Sequence, residues 1–284
     1  MNAQAPRPTA HEDLPATVAL LRRAFPGVAK FTPAYLEWQC QANPAGPALV
    51  SNLFEGGRLV GHVSGVPLDV MLDGAEARVS LIINVCLDPE ARGGGRFRAL
   101  IEHLLTQSAA AGHAGAIGVA NGQSAEGFVR ALGFQDLGSL PAWVELAPHR
   151  LDGERALAEA RFARHWRPET LAWRLANPAN PLRVVERDSH SLTIEGQSTL
   201  TGVAVRATLP NAGLDVPVTA RPTRRPAVAL GLAPANTLTR HFARDIPQRL
   251  RPSPLRLIWH ELRAGGAGLD RARLLFSLLD FDAF

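Results

Sequence analysis

The segment Arg92-Gly93-Gly94-Gly95-Arg96-Phe97 is the part of this 284-residue chain best suited to chemistry. Consecutive glycines let a backbone turn left-handed and approach a ligand closely. A helix starting just after them would offer its unsatisfied N–H groups and its dipole to an anion. Arg92, Arg96 and Arg98 add positive charge around the same turn, and a pyrophosphate suits the combination. Other reactive side chains are sparse. His62, in Val60-Gly61-His62-Val63-Ser64-Gly65, has an unperturbed pKa suited to a general base. Asn84 can orient an amine but cannot deprotonate it. Cys86 lies on an apolar run with no adjacent histidine, so packing is expected of it rather than nucleophilic attack. Cys40 and Cys86 lack metal-ligand spacing, and no metal is expected.

The elements that would position these groups follow from periodicity. Leu81, Ile82, Ile83, Val85 and Leu87 form a β-branched-rich run that reads as a buried strand, whereas Leu100, Ile101, Leu104 and Leu105 repeat at helical spacing. The glycines therefore lie at a strand-to-helix turn, with Asp88 as its cap. A P-loop would need Lys followed by Ser or Thr at the helix start, and the one lysine is Lys30. A dinucleotide fingerprint would need another glycine three residues after the second. Downstream, Ala116 to Ala120 reads as a strand ending at Asn121, and Ser124 to Leu132 as a helix closed by Gly133-Phe134.

Residues from about Val85 to Phe134 resemble the acetyl-CoA-binding core of the GCN5-related N-acetyltransferases. Their signature of Arg or Gln, two residues, Gly, one residue, Gly or Ala is read here as Arg92 to Phe97, with Phe97 where a small residue is usual. The later Asn, helix, Leu-Gly-Phe order resembles the same family. The resemblance implies acetyl-CoA as acyl donor, held by Val85, Leu87, Arg92, Gly93, Gly94, Gly95, Arg96, Phe97, Asn121, Ser124 and Phe128. It implies that the Leu87 backbone N–H polarises the thioester while an amine attacks directly. Many relatives carry a Tyr four residues before the Gly of Leu-Gly-Phe. Here that position is Val129, beside Phe128, and the single tyrosine is Tyr35. Ser124, water or the incoming amine would then supply the proton to the leaving thiolate. His62, Asn84, Leu87 and Ser124 are accordingly the expected catalytic set.

A second feature is an internal echo. Phe31-Thr32-Pro33-Ala34-Tyr35-Leu36-Glu37-Trp38 with Asn43-Pro44 returns as Trp166-Arg167-Pro168-Glu169-Thr170-Leu171-Ala172-Trp173 with Asn177-Pro178. Each copy opens a short helix on Pro and stops at Asn-Pro. Strands are expected next at Ala48 to Phe54 and Leu59 to Val66, and at Leu182 to Glu186 and Thr201 to Thr208. The expected fold class is α/β, with tandem acetyltransferase-like domains over residues 1–148 and 149–284, each a mixed central sheet flanked by helices. The second copy lacks a glycine loop. It is read as a strand, Ala227 to Leu232, an amphipathic helix from about Pro234, and strands at Leu255 to His260 and Arg273 to Leu279. The tail with Asp280 and Asp282 is expected to be solvated.

A hydrophobic content of 46% can build sizeable cores, and the net charge of +4 is small. No basic run with interleaved aromatics points to nucleic acid, and Arg221-Pro222-Thr223-Arg224-Arg225 reads as a solvated loop. No apolar stretch approaches a membrane span and no secretory leader is evident, which leads to an expected cytoplasmic location. The expected activity is acyl-CoA-dependent N-acetylation of a small primary amine. The Trp, the Asn-Pro-Ala-Gly opening and the Gly-His strand resemble acetyltransferases of cell-surface sugar biosynthesis, which points to an amino sugar. The alternative is a non-catalytic acyl-CoA-binding or sensing module, favoured by the missing Tyr and acidic base. Oligomeric state is not legible.

Overall fold

The computed structural model describes residues 5–7 and 13–281. In chain order the elements are α1 (Leu14–Ala24), α2 (Pro33–Cys40), β1 (Leu49–Glu55), β2 (Arg58–Leu72), β3 (Ala75–Leu87), α3 (Arg96–Ala110), β4 (Gly115–Ala120), α4 (Gly122–Glu126) and β5 (Gln135–Ser139). They continue with β6 (Ala142–Glu145), β7 (Arg150–Leu151), α5 (Gly153–Glu159), β8 (Phe162–Arg164), α6 (Pro168–Leu175), β9 (Arg183–Arg187), β10 (Ser191–Gln197) and β11 (Ala204–Pro210). The last are β12 (Ala227–Leu232), β13 (Leu238–Thr239), β14 (Ala243–Asp245), β15 (Arg256–Glu261) and β16 (Leu274–Ser277). The fold is the expected mixed α/β.

Contacts divide the chain into two compact units. The first takes the chain up to Leu68, Arg78–Asp136 and Ile258–Gly268; the second takes Asp69–Ala77, Leu137–Leu257 and Leu269–Phe284. The division expected at 148/149 therefore falls inside a segment of the second unit. The reason is strand pairing between distant segments, which local sequence cannot signal.

In the first unit β1 and β2 form an antiparallel hairpin, β3 and β4 pair in parallel, and β15 lies between β4 and β5. The core lies between this sheet and α3: Leu100, Ile101, Leu104 and Leu105 meet Val60, Val63, Ile82, Ala116 and Ile258. Glycines set the approach of helix to sheet. A Cβ on Gly61 would come within 2.7 Å of Leu100 and 2.8 Å of Leu87, and one on Gly65 within 2.9 Å of Leu104.

In the second unit β9, β10 and β11 are antiparallel, β11 and β12 parallel, and β12 also pairs antiparallel with β6. The echo has a structural counterpart. α2 and α6 each span eight residues with Pro at the start. The Asn43 side chain accepts from Ala45 N–H at 3.1 Å and that of Asn177 from Ala179 N–H at 2.9 Å, so each Asn-Pro closes its helix with the same side-chain turn. After β11 the copies part, because residues 211–226 reach β12 without any helix corresponding to α3.

Two expectations are corrected here. No helix follows Pro234; Thr237 Oγ1 donates to Pro234 O at 2.7 Å and the chain continues into β13 and β14. Such side-chain bonding to nearby backbone competes with helix formation. Nor is Asp280 solvated. It is 4% exposed, its carboxylate accepts Ser277 N–H at 2.5 Å, and Arg174 holds the backbone oxygens of Leu279 and Phe281. Asp282 lies outside the described residues.

Candidate functional site

The glycine turn is built from left-handed residues. Gly93, Gly94 and Gly95 have φ of 87°, 58° and 75°, a region that costs an ordinary residue about 1–2 kcal/mol. Gly95 is the N-cap of α3 and no side chain caps the helix; Arg96 N–H donates to Gly93 O at 3.3 Å, and the N–H groups of Phe97 and Arg98 stay open to an anion. Asp88 closes the preceding turn by accepting from Glu90 N–H at 3.2 Å, and is itself gripped by Arg23 and Arg58.

Beside this turn the parallel pair comes apart. Registered pairing of β3 with β4 runs from Val79↔Gly115 to Ile82↔Gly118, although β3 continues to Leu87 and β4 to Ala120. The break coincides with Asn84, whose φ of 55° kinks β3. Successive amides of a strand point to opposite edges, and Asp88 N–H donates to Val60 O on β2. The Leu87 N–H therefore points the other way, into the opened wedge. The side chains of Val85 and Leu87 pack on the core beneath α3.

The remaining expected residues divide by what they touch. Arg92 is exposed and unpaired among the described residues, as a phosphate ligand requires. Arg96 differs. Its Nε donates to Glu55 at 2.5 Å and its Nη1 to Gly93 O at 3.3 Å, so it braces the loop from within. Phe97 points into the core rather than toward a ligand, edge-on to Phe128 with ring centroids 5.1 Å apart, and Phe128 is 2% exposed against Phe134. The departure from a small residue at 97 is thus met by packing, with Gly127 leaving the space that the ring fills. The Phe97 and Phe128 side chains are therefore committed to the core, which leaves the backbone N–H of Phe97 as that residue's group at the glycine turn.

Asn121 caps α4, accepting from Gln123 N–H and Ser124 N–H at 3.0 and 2.9 Å. Ser124 Oγ donates to Asn121 Oδ1 at 3.0 Å at the mouth of the helix. Beyond α4 the expected helix loosens into a π-turn, Gly127–Ala131, that carries Val129.

His62 is corrected as a base. It is 2% exposed, one ring nitrogen bonds Asn52 Oδ1 at 2.7 Å and the other Ser64 Oγ at 2.9 Å. Burial lowers its pKa to about 4, which leaves the ring neutral and without a nitrogen to offer. Cys86 is likewise inert, its thiol pushed up to about 12 by burial. Asn84 is at the wedge and donates from Nδ2 to Gln39 Oε1 at 2.6 Å; Gln39 in turn donates to the Tyr35 hydroxyl at 2.7 Å. Gln39 and Tyr35 were not anticipated as partners of Asn84. Their spacing of one helical turn on α2 was the available sign.

An uncapped helix behind a glycine turn, at the mouth of two splayed parallel strands, defines an acetyltransferase-type fold with an anion cradle. Residues 5–136 match the family model described as an acetyltransferase (GNAT) domain. Solved structures extend the likeness of fold over nearly the whole chain. A probable N-acyltransferase from Enterococcus faecalis V583 is 12% identical with a TM-score of 0.58, covering 92% of this chain and 73% of that one. A GCN5-related N-acetyltransferase from Anabaena variabilis ATCC 29413 is 12% identical with a TM-score of 0.57, over 92% and 73%. Eis1 from Mycobacterium abscessus is 14% identical with a TM-score of 0.54, over 92% and 74%. No curated protein matches the sequence. Among the described residues no helix is long and apolar enough to cross a membrane, and no cluster of His, Cys, Asp and Glu could hold a metal.

Proposed function

We propose that the chain transfers the acetyl group of acetyl-CoA to a primary amine of a small molecule, an amino sugar being the first class to try. The observation that carries this reading is the run of left-handed glycines feeding an uncapped α3 beside the β3/β4 wedge. The pyrophosphate would lie on the N–H groups of Gly93 to Phe97, with Arg92 as its charged side chain. The thioester carbonyl would accept from Leu87 N–H, which stabilises the oxyanion as the amine nitrogen attacks. The carbon–sulfur bond then breaks, the amide forms, and the proton lost by the amine passes to the CoA thiolate through Ser124 Oγ or water. Asn84, steadied by Gln39, would orient the incoming nitrogen. Direct transfer needs proximity and a neutral amine rather than a covalent enzyme intermediate. The free Cys40 and Cys86 suit a reducing, cytoplasmic setting.

A second reading rests on one observation. Tyr35 is buried and hydrogen-bonded to Gln39, and Val129 occupies the position where relatives carry their acidic Tyr. This favours a module that binds acyl-CoA without turnover. Calorimetric titration with acetyl-CoA, followed by thiol release with a panel of amines, decides between them. Saturable binding with thiol release supports transfer, binding without release supports the module, and no binding overturns both.

A further inference from the structure

The second unit contains a polar face where a core would ordinarily be apolar. On neighbouring β10 and β11, Thr193 stands opposite Thr208 and Glu195 opposite Arg206. Arg206 is completely buried; its Nε and Nη2 donate to Glu195 at 2.8 and 2.6 Å, and its Nη1 to Glu145 on β6 at 3.2 Å. Glu145, also completely buried, further accepts from Trp143 Nε1 at 2.7 Å and from His149 Nδ1 at 3.0 Å. Burial by itself would raise the Glu145 pKa, but these hydrogen bonds and the nearby positive charge hold it below the usual carboxylate range. The second oxygen of Glu195 accepts Thr223 N–H at 2.9 Å. Every charge inside the network is therefore hydrogen-bonded, and the His149 ring is fixed with Nδ1 toward a carboxylate.

Two atoms of this face lack partners. His149 is 5% exposed and Thr193 4%, yet His149 Nε2 and Thr193 Oγ1 make no hydrogen bond among the described residues. Neither is among the polar atoms sealed from solvent. Both residues line a cleft of about 720 Å³ formed by residues 147–152, β9, β10 and the turn into β13. Nearly buried polar atoms are almost always satisfied, so these two await an external partner. In the tautomer that donates Nδ1–H to the Glu145 carboxylate, Nε2 is an acceptor, and its partner is then a donor. Charge selects among donors. The network holds Glu145 and Glu195 against Arg206, and the rim adds Asp152, Glu186 and Asp188 against Arg150.

We infer that this cleft is a second ligand site, separate from the glycine turn, which takes a small organic ammonium compound on His149 Nε2 and Thr193 Oγ1. The ammonium supplies both the missing N–H donors and the missing positive charge, while Glu186 holds the more distant part of the ligand. Glu145 positions the imidazole; it does not touch the ligand.

The test follows the ring nitrogens of histidine by ¹⁵N NMR in the full chain during titration with ethanolamine or spermidine. Ethylene glycol serves as the uncharged control and inorganic phosphate as the anionic one. Either amine should shift the histidine resonance that is lost in His149→Gln. Thr193→Val, which keeps the shape of the side chain, should weaken the amine at least threefold, and Glu186→Gln should weaken it about threefold. If His149→Gln fails to fold, the two milder variants carry the test alone. Absence of an amine-induced shift, a response to phosphate instead, or amine affinity unchanged in both Thr193→Val and Glu186→Gln overturns the site. Acetyl-CoA titration of the same samples reports on the glycine turn independently.

Discussion

His62 and His149 are both nearly buried, and their surroundings give them opposite prospects. Asn52 and Ser64 occupy both nitrogens of His62, whereas Glu145 occupies only one nitrogen of His149. A histidine with a folded pKa near 4 and an unfolded value near 6.5 is protonated first in the unfolded chain. Its contribution to stability is therefore full above pH 6.5 and is lost as the pH falls toward 4, at about 1.4 kcal/mol per pH unit. Replacing His62 with Gln should remove about 3 kcal/mol of acid sensitivity across that window, read as a flatter plot of urea-unfolding free energy against pH. The acid limb of any pH–rate profile should stay where it is, because His62 offers no nitrogen to a substrate. Sequence alone marks a histidine as titratable within the physiological range; burial and partners, set by residues far along the chain, determine whether that capacity is used.

Among the elements, α3 and the strand it covers explain why the glycines could be read from sequence and why some of their neighbours could not. Gly61→Ala would drive a methyl group against Leu100 and Leu87, and should cost about 1–3 kcal/mol and loosen α3, as measured by Tm and amide exchange. Gly95→Glu has open space for its side chain but places a like charge at the anion cradle. It should abolish acetyl-CoA binding in calorimetry while lowering Tm by only a few degrees. Strand β3, the glycine turn, α3 and β4 were legible because each has a local signature of composition or period. The π-turn, the burial of Phe97 and the commitment of Arg96 to Glu55 were not, since they depend on what packs opposite. The expected helix at Pro234 failed for a related reason: its apolar spacing was real, but Thr237 and the pairing of β13 with β7 claimed the backbone. The network around Arg206 gave no sign in sequence because Glu145, Glu195 and Arg206 are scattered along the chain and meet only through strand pairing.

Across the molecule the two copies share the early elements and part after β11, where residues 211–226 replace both glycine turn and helix. One acetyl-CoA per chain is the expected stoichiometry in calorimetry; two would require a cradle that the second unit does not display among the described residues. The first unit also depends on the far end of the chain. Ile258 and Trp259 are each 1% exposed, Ile258 lies in the core under α3, and the Trp259 ring fills the space beside Gly115. A fragment of residues 1–148 lacks both and leaves the edge of β4 bare, so it should show no cooperative unfolding by circular dichroism and should aggregate. During biosynthesis, residues from β15 follow those of β4 by on the order of ten seconds at about 5–20 residues per second. For that interval the glycine turn exists as sequence without a finished sheet behind it. A chain ended before β15 would hold every residue of the proposed cofactor cradle and lack the strand that completes the sheet behind it.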